Sequence, residues 1–230
     1  SNTYYVCMSN GTQEAVTDLA GNRIGQAIES TDSLFSFTTG LEAADDTAPA
    51  LERVSLLDEA SEIPVNAHLS FLFDERISAA QVRERFTLVD SLGGVVLYED
   101  ALNQTGNRLI ITAPGNWDAN ETYTYTLNGI TDLAANELAA VITGSFTTGS
   151  EDDTTSGEVL SFTPLSGEEK VPTNAVVEIK LSETIDVASL NDLSFAVSST
   201  YSDCSSSSFN VAGDFSLSED HTRFTFTPAA

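Results

Sequence analysis

The sequence predicts an all-β chain of tandem β-sandwiches, one complete and one split between the two chain ends. Three observations predict it. Four short motifs recur in one order about half a chain apart, the segments between them alternate with a period of two, and the last residues read on into the first. Thr17-Asp18-Leu19-Ala20-Gly21-Asn22 recurs as Thr131-Asp132-Leu133-Ala134-Ala135-Asn136, and Ser36-Phe37-Thr38-Thr39-Gly40 as Ser145-Phe146-Thr147-Thr148-Gly149. Ile63-Pro64-Val65-Asn66 recurs as Val171-Pro172-Thr173-Asn174, and Phe73-Asp74-Glu75-Arg76-Ile77 as Leu181-Ser182-Glu183-Thr184-Ile185. Self-similarity at a fixed offset marks a repeat architecture. The terminal Phe224-Thr225-Phe226-Thr227-Pro228, continued into Asn2-Thr3-Tyr4-Tyr5, repeats the interior Leu109-Ile110-Ile111-Thr112-Ala113 and Asn120-Glu121-Thr122-Tyr123.

Taken in order, residues 1–40 read as the last two strands of a split domain and 41–49 as an acidic linker. Residues 50–149 form a complete domain, 150–157 a second acidic linker, and 158–230 the first five strands of a split domain. In the complete domain the apolar alternation places strands near 51–57, 67–73, 86–90, 94–99, 107–112, 122–128 and 142–148. Thr122 to Leu127 shows the pattern most clearly, with Tyr123, Tyr125 and Leu127 on one face and threonines on the other. That is the signature of a half-buried strand. A short helical stretch is expected at Ser78–Arg85. Seven short strands in about 100 residues, punctuated by turn residues, indicate an immunoglobulin-like sandwich. Tyr123, with Tyr4 as its counterpart, is placed to form a tyrosine corner.

The order VPxN, an acid after the second strand, TxTP, NTxY, TDLAGN and SFTTG resembles the bacterial Ig-like domain of the S-layer (SbsA) type. The resemblance covers nearly the whole chain. It implies tandem repeats of a secreted surface protein, S-layer or adhesin, serving as non-enzymatic stalk or lattice modules. The chain departs from the pattern at Ala135, where the family has the glycine seen at Gly21. A left-handed backbone there would strain the loop by roughly 1 kcal/mol.

Composition limits the function classes. Thirty-five acidic residues against nine basic ones give a net charge of −26. Nucleic acid is excluded as a partner, because phosphate neutralisation needs clustered Lys and Arg. No stretch approaches the ~18–20 apolar residues of a membrane span, so membrane insertion is not expected. No basic-then-apolar leader opens the chain, and a leader is expected to lie upstream or to have been removed. Signatures of enzymes (GxSxG, the P-loop, HExxH) do not occur.

Calcium is the cofactor the linkers suggest. It takes six to eight oxygen ligands, and Asp45, Asp46, Asp152 and Asp153 offer adjacent carboxylates. A plain charged linker accounts for the same residues, and no EF-hand spacing is present. Asp18 and Asp132 read as caps of tight turns, with metal ligation as the alternative. Glu75 and Glu183 end matching strands without the second group a catalytic pair needs. His68 and His221 read as strand residues. Asn10, Asn103 and Asn120 open N-x-Thr sequons and are candidate glycosylation sites. Trp117 is placed in a loop. Cys7 and Cys204 both fall in the split domain and permit one disulfide without requiring it.

A sandwich cut in half leaves strand edges and an apolar face to be covered. Three completions are open: a longer covalent array, head-to-tail strand complementation between copies, and closure in cis. The expected function is a structural extracellular or cell-surface fibre, stalk or lattice unit that associates with itself or with neighbouring repeats. The alternative is an adhesin module binding carbohydrate or protein through loops such as 199–209 or 103–106.

Overall fold

The computed structural model describes residues 3–6, 35–39, 44–190, 195, 197 and 211–229, and among them the apolar alternation becomes fourteen short strands, one α-helical turn and two 3-10 turns. Cys7, Cys204, Asn10 and Asp18 lie outside the described residues. The chain is all-β and divides into two compact units, Ser1–Asp45 and Asp46–Ala230.

In the first unit, β1 (Thr3–Val6) and β2 (Phe35–Thr38) pair antiparallel, with Thr3 opposite Thr38 and Tyr4 opposite Phe37. The second unit opens with β3 (Leu51–Val54), β4 (Ala60–Ile63) and β5 (Leu69–Phe73). A 3-10 turn (Ala79–Gln81) and α1 (Val82–Arg85) follow, as expected for Ser78–Arg85. Next come β6 (Phe86–Val89), β7 (Glu99–Leu102), β8 (Arg108–Thr112), β9 (Thr122–Leu127) and β10 (Ile142–Thr148). These strands make two four-stranded sheets, β3-β5-β8-β7 and β4-β10-β9-β6.

The inward residues of both sheets fill one core: Phe71 and Phe73 from β5, Leu109 and Ile111 from β8, Tyr123, Tyr125 and Leu127 from β9, and Phe146 from β10. Phe71 meets Tyr125 edge-on at 5.4 Å and Phe86 at 5.9 Å between ring centroids. Each such side chain contributes about 1.5–3 kcal/mol by leaving water. Trp117 belongs to this core: it is buried, its indole Nε1 donates to the Ala67 carbonyl at 2.7 Å, and it packs on Tyr123 and Phe146. The Tyr123 hydroxyl accepts the Asp118 amide at 2.9 Å, which closes the expected tyrosine corner.

Two strand expectations need correction. The stretch 94–98 is not a strand, and Glu99 is already the first residue of β7. Val95 makes one bridge to Val89, and the segment then crosses from the sheet of β6 to that of β7, leaving Val95 and Leu97 exposed. Its apolar alternation is spent on Val96 and Tyr98, which pack on the core from the crossing. The stretch 51–57 is shorter than expected because the chain leaves one sheet at Val54 and joins the other as β4, parallel to β10. A left-handed backbone at Glu59 (φ 60°) leads into β4, and a second at Glu62 (φ 58°) falls inside it, where the register against β10 shifts.

The rest of the second unit is β11 (Val159–Thr163), β12 (Val177–Leu181), β13 (Gly213–Leu217) and β14 (Arg223–Pro228) in the order β11-β12-β14-β13. This sheet reproduces β3-β5-β8-β7 residue for residue. Phe71 faces Leu109 and Ile179 faces Phe224; Asp100 faces Ile111 and Phe215 faces Phe226. Even the irregularity between Leu51 and Arg53 recurs between Val159 and Ser161. A 3-10 turn at Val187–Ser189 matches the one at Ala79–Gln81. His221 is a turn residue between β13 and β14 with φ 51°, not a strand residue, at the position of left-handed Gly106 (φ 76°). Among the described residues, no helix is long and apolar enough to cross a membrane.

Candidate functional site

Two features of the second unit concentrate polar chemistry and uncovered apolar surface: the junction between the sandwich and the C-terminal sheet, and the inner face of that sheet.

The junction is organised by Asp186. Its Oδ1 accepts the Ala188 amide at 2.9 Å and so caps the 3-10 turn. Its Oδ2 reaches the sandwich, accepting from Ser70 Oγ at 2.6 Å, lying 3.0 Å from His68 Nε2, and pairing with Arg108 Nη2. Burial works to raise the Asp186 carboxyl. The hydrogen bonds from His68 and Ser70 and the charge of Arg108 outweigh it and hold the pKa below the ordinary value. A second tie is Arg53, whose Nη1 donates to the Leu190 carbonyl at 2.7 Å while its guanidinium lies 6.0 Å from the Phe215 ring centroid. That ring contact has the geometry of a cation–π interaction. A cavity of about 320 Å³ lies beside His68 and Asp186, walled by Leu56, Ile63, Pro64 and Ile185. Sequence spacing gave no sign of this network, because the hydrogen bonds that join its members span 38 to 118 residues. The one available clue is the repeat itself: Asp186 stands where the first copy has Ser78.

The inner face of the C-terminal sheet differs from its template in cover. Phe71 and Phe73 are fully buried, whereas their counterparts Ile179 and Leu181 on β12 are only half-buried; Phe224 and Phe226 on β14, the counterparts of Leu109 and Ile111, are buried. Phe162 is 43% exposed and Val159 57%, where Val54 and Leu51 pack on the core. Phe195 covers part of the face, meeting the rings of Phe215, Phe224 and Phe226 at 5.6, 5.1 and 5.9 Å.

The linker acids are exposed. Asp46 sits at the start of the second unit and Asp45 at the end of the first. Asp152 Oδ1 accepts from Asn116 Nδ2 at 2.7 Å, and Asp153 Oδ1 accepts the Thr155 amide and hydroxyl at 2.9 and 2.8 Å. Asn66 clasps the Asp153 backbone at both ends, at 2.7 and 3.0 Å. The linker is thereby pinned to the sandwich. Asp152 and Asp153 share one hollow with Glu62 and Glu151.

Asp132 acts as the turn cap that its position suggests. Its Oδ1 accepts the Ala134 and Asn136 amides, both at 2.8 Å, and its Oδ2 the Asn136 side chain at 2.8 Å. Burial works to raise this carboxyl, and those hydrogen bonds prevail and lower its pKa. Its oxygens come within 4.8 Å of Glu75. Ala135 has φ 70°, the left-handed conformation that the missing glycine would favour. Ala135→Gly is expected to raise stability by roughly 0.5–1 kcal/mol, strain relief exceeding the added unfolded-state entropy, as read by the midpoint of denaturant unfolding.

Of the sequon residues described, Asn103 is bound at both side-chain ends, donating to Thr105 and Asn107 and accepting the Asn107 and Arg108 amides. Asn120 is exposed with φ 56°. The loop 103–106 is thus knitted to itself.

The sequence model of a family described as "Bacterial Ig-like domain" matches residues 45–148 and 153–230. No curated protein matches the chain. Among solved structures, CopC from Methylosinus trichosporium OB3b is 13% identical with a TM-score of 0.38, over 46% of this chain and 99% of that one. The S-layer protein rSbsC is 17% identical with a TM-score of 0.36, over 58% of this chain and 18% of that one. Native alpha-2-macroglobulin of E. coli is 15% identical with a TM-score of 0.38, over 60% of this chain and 8% of that one. The chain therefore spans less than a fifth of the latter two.

Proposed function

The chain belongs to the bacterial Ig-like domain family, and from that premise we propose a non-enzymatic structural protein of the cell exterior. It acts as a repeat unit of a surface fibre, stalk or lattice, of the S-layer (SbsA) kind, that extends head to tail. The observation that carries this reading is the Asp186 junction. A stiff array needs successive modules held at a fixed angle, and one carboxylate here ties the turn after β12 to β5 and β8 of the preceding sandwich. The strong negative charge suits a surface that stays hydrated and avoids unspecific association.

Antibodies raised against the purified chain test the location. Labelling of intact cells supports the proposal; labelling that appears only after permeabilisation contradicts it. Calcium is proposed at the Asp152–Asp153 linker as a further stiffener of the same junction. Calorimetry with and without a chelator is expected to lower the melting temperature on removal, and an unchanged value takes calcium out of the account.

The adhesin alternative draws on one feature. Leu92, Val95 and Leu97 are exposed within six residues, an apolar patch of the sort that meets partners. Loss of ligand binding in a Leu92→Ser, Leu97→Ser variant of unchanged stability would favour it.

A further inference from the structure

The C-terminal sheet is a sandwich half whose apolar face is open along β11 and β12 among the described residues, while Phe224 and Phe226 of β14 are buried, and the same chain contains both the template for closing it and a strand pair of the matching kind. In the central sandwich, β9 and β10 lie over the β3-β5-β8-β7 sheet. Their register sets Thr122 opposite Thr147, Tyr123 opposite Phe146, Thr124 opposite Ser145 and Tyr125 opposite Gly144. The β1–β2 pair has the same register, with Thr3 opposite Thr38, Tyr4 opposite Phe37, Tyr5 opposite Ser36 and Val6 opposite Phe35. A cross-strand hydroxyl bond marks the same rung in both, Thr3 to Thr38 and Thr122 to Thr147, each at 2.9 Å.

The sheet that β9 and β10 cover is equally well matched, since β11-β12-β14-β13 repeats all three pairings of β3-β5-β8-β7 together with their irregularity. Receptor and cover are therefore both present, in register, in one chain. The exposed Phe162 and Val159 lie on the edge strand β11, while Phe195 already shields Phe215 of β13 and Phe224 and Phe226 of β14.

We propose that the inner face of the β11-β12-β14-β13 sheet is covered by the β1–β2 strand pair of a second copy of this chain. This deepens, and rests on, the reading of the chain as a repeat unit. Each copy offers one cover and one open sheet, so the contact is heterologous and adds copies head to tail instead of pairing two of them off. Burial of apolar surface drives it, against repulsion between two strongly acidic copies. Raising salt screens that repulsion, so association tightens with ionic strength.

Sedimentation velocity of the full chain over a range of concentrations reads the outcome. The wild type is expected to form concentration-dependent head-to-tail oligomers. Phe162→Asp damages only the receiving sheet, at a position exposed in the single copy, and Tyr4→Asp only the cover. Each alone is expected to weaken association at least about tenfold, as for a central interface residue. Mixed in equal amounts they restore one good contact, and the assembly stops at the dimer.

A mixture that stays monomeric, or oligomers indifferent to both substitutions, overturns the proposal. So does a wild-type monomer at every concentration, whether its sheet face stays open or is closed in cis. That last result leaves the structural-array reading standing, because a following stretch of a longer polypeptide could cover the face. Failure of surface labelling would remove that reading by itself.

Discussion

Phe71→Ala is expected to cost about 3–5 kcal/mol, enough to unfold a marginal sandwich, because it empties the centre of a closed core. Phe71 is fully buried and holds edge contacts with Phe86 and Tyr125, so its removal leaves a cavity that neighbouring rings cannot fill. Ile179→Ala, made at the same rung of the repeated sheet, is expected to cost less, about 1–2 kcal/mol in the monomer, since the residue is already partly exposed to water. Chemical denaturation of both variants at low protein concentration makes the comparison. Equal losses would mean that the second sheet has a closed core of its own.

Asp186→Ala carries the second-largest effect. It removes the acceptor of Ser70 and His68 and leaves Arg108, whose Nε is already buried without a partner, short of its counter-charge. Stranding a partly buried charge in this way costs about 2–4 kcal/mol. The loss should fall on the coupling between sandwich and C-terminal sheet, so that one unfolding transition separates into two. Pairing Asp186→Leu with Arg108→Met should recover part of the stability by removing both charges. The pH dependence has a definite sign. The folded pKa of Asp186 lies below its ordinary 3.8, so the stabilisation is complete at neutral pH and is lost as pH falls below about 4. A junction that loosened first on going alkaline would contradict the assignment.

The repeat made much of this fold legible. Motifs at a constant offset already aligned β5 with β12 and β10 with β2, and the threonine–tyrosine alternation of β9 left only one face to bury. The Asp132 cap and the left-handed Ala135 were readable because a local spacing sets them. Local alternation misled at Val95–Tyr98, where a crossing between sheets borrows a strand's pattern; Trp117 lies in a loop as expected, and nothing local showed that the loop carries it into the core. Nothing local encodes the Asp186 network, which depends on how two modules stack. His68 and Ser70 gain their role only from a carboxylate more than a hundred residues away.

Hydrogen exchange on the dilute chain, followed residue by residue, tests most directly whether the chain holds one closed sandwich and one open sheet. Amides across the β5–β8 pairing, around Phe71 and Leu109, should exchange only through global unfolding of the sandwich. Those across the equivalent β12–β14 pairing, around Ile179 and Phe224, should exchange far faster, and slow down as concentration rises together with those of β1 and β2. Equal protection of the two sheets at every concentration would contradict the account.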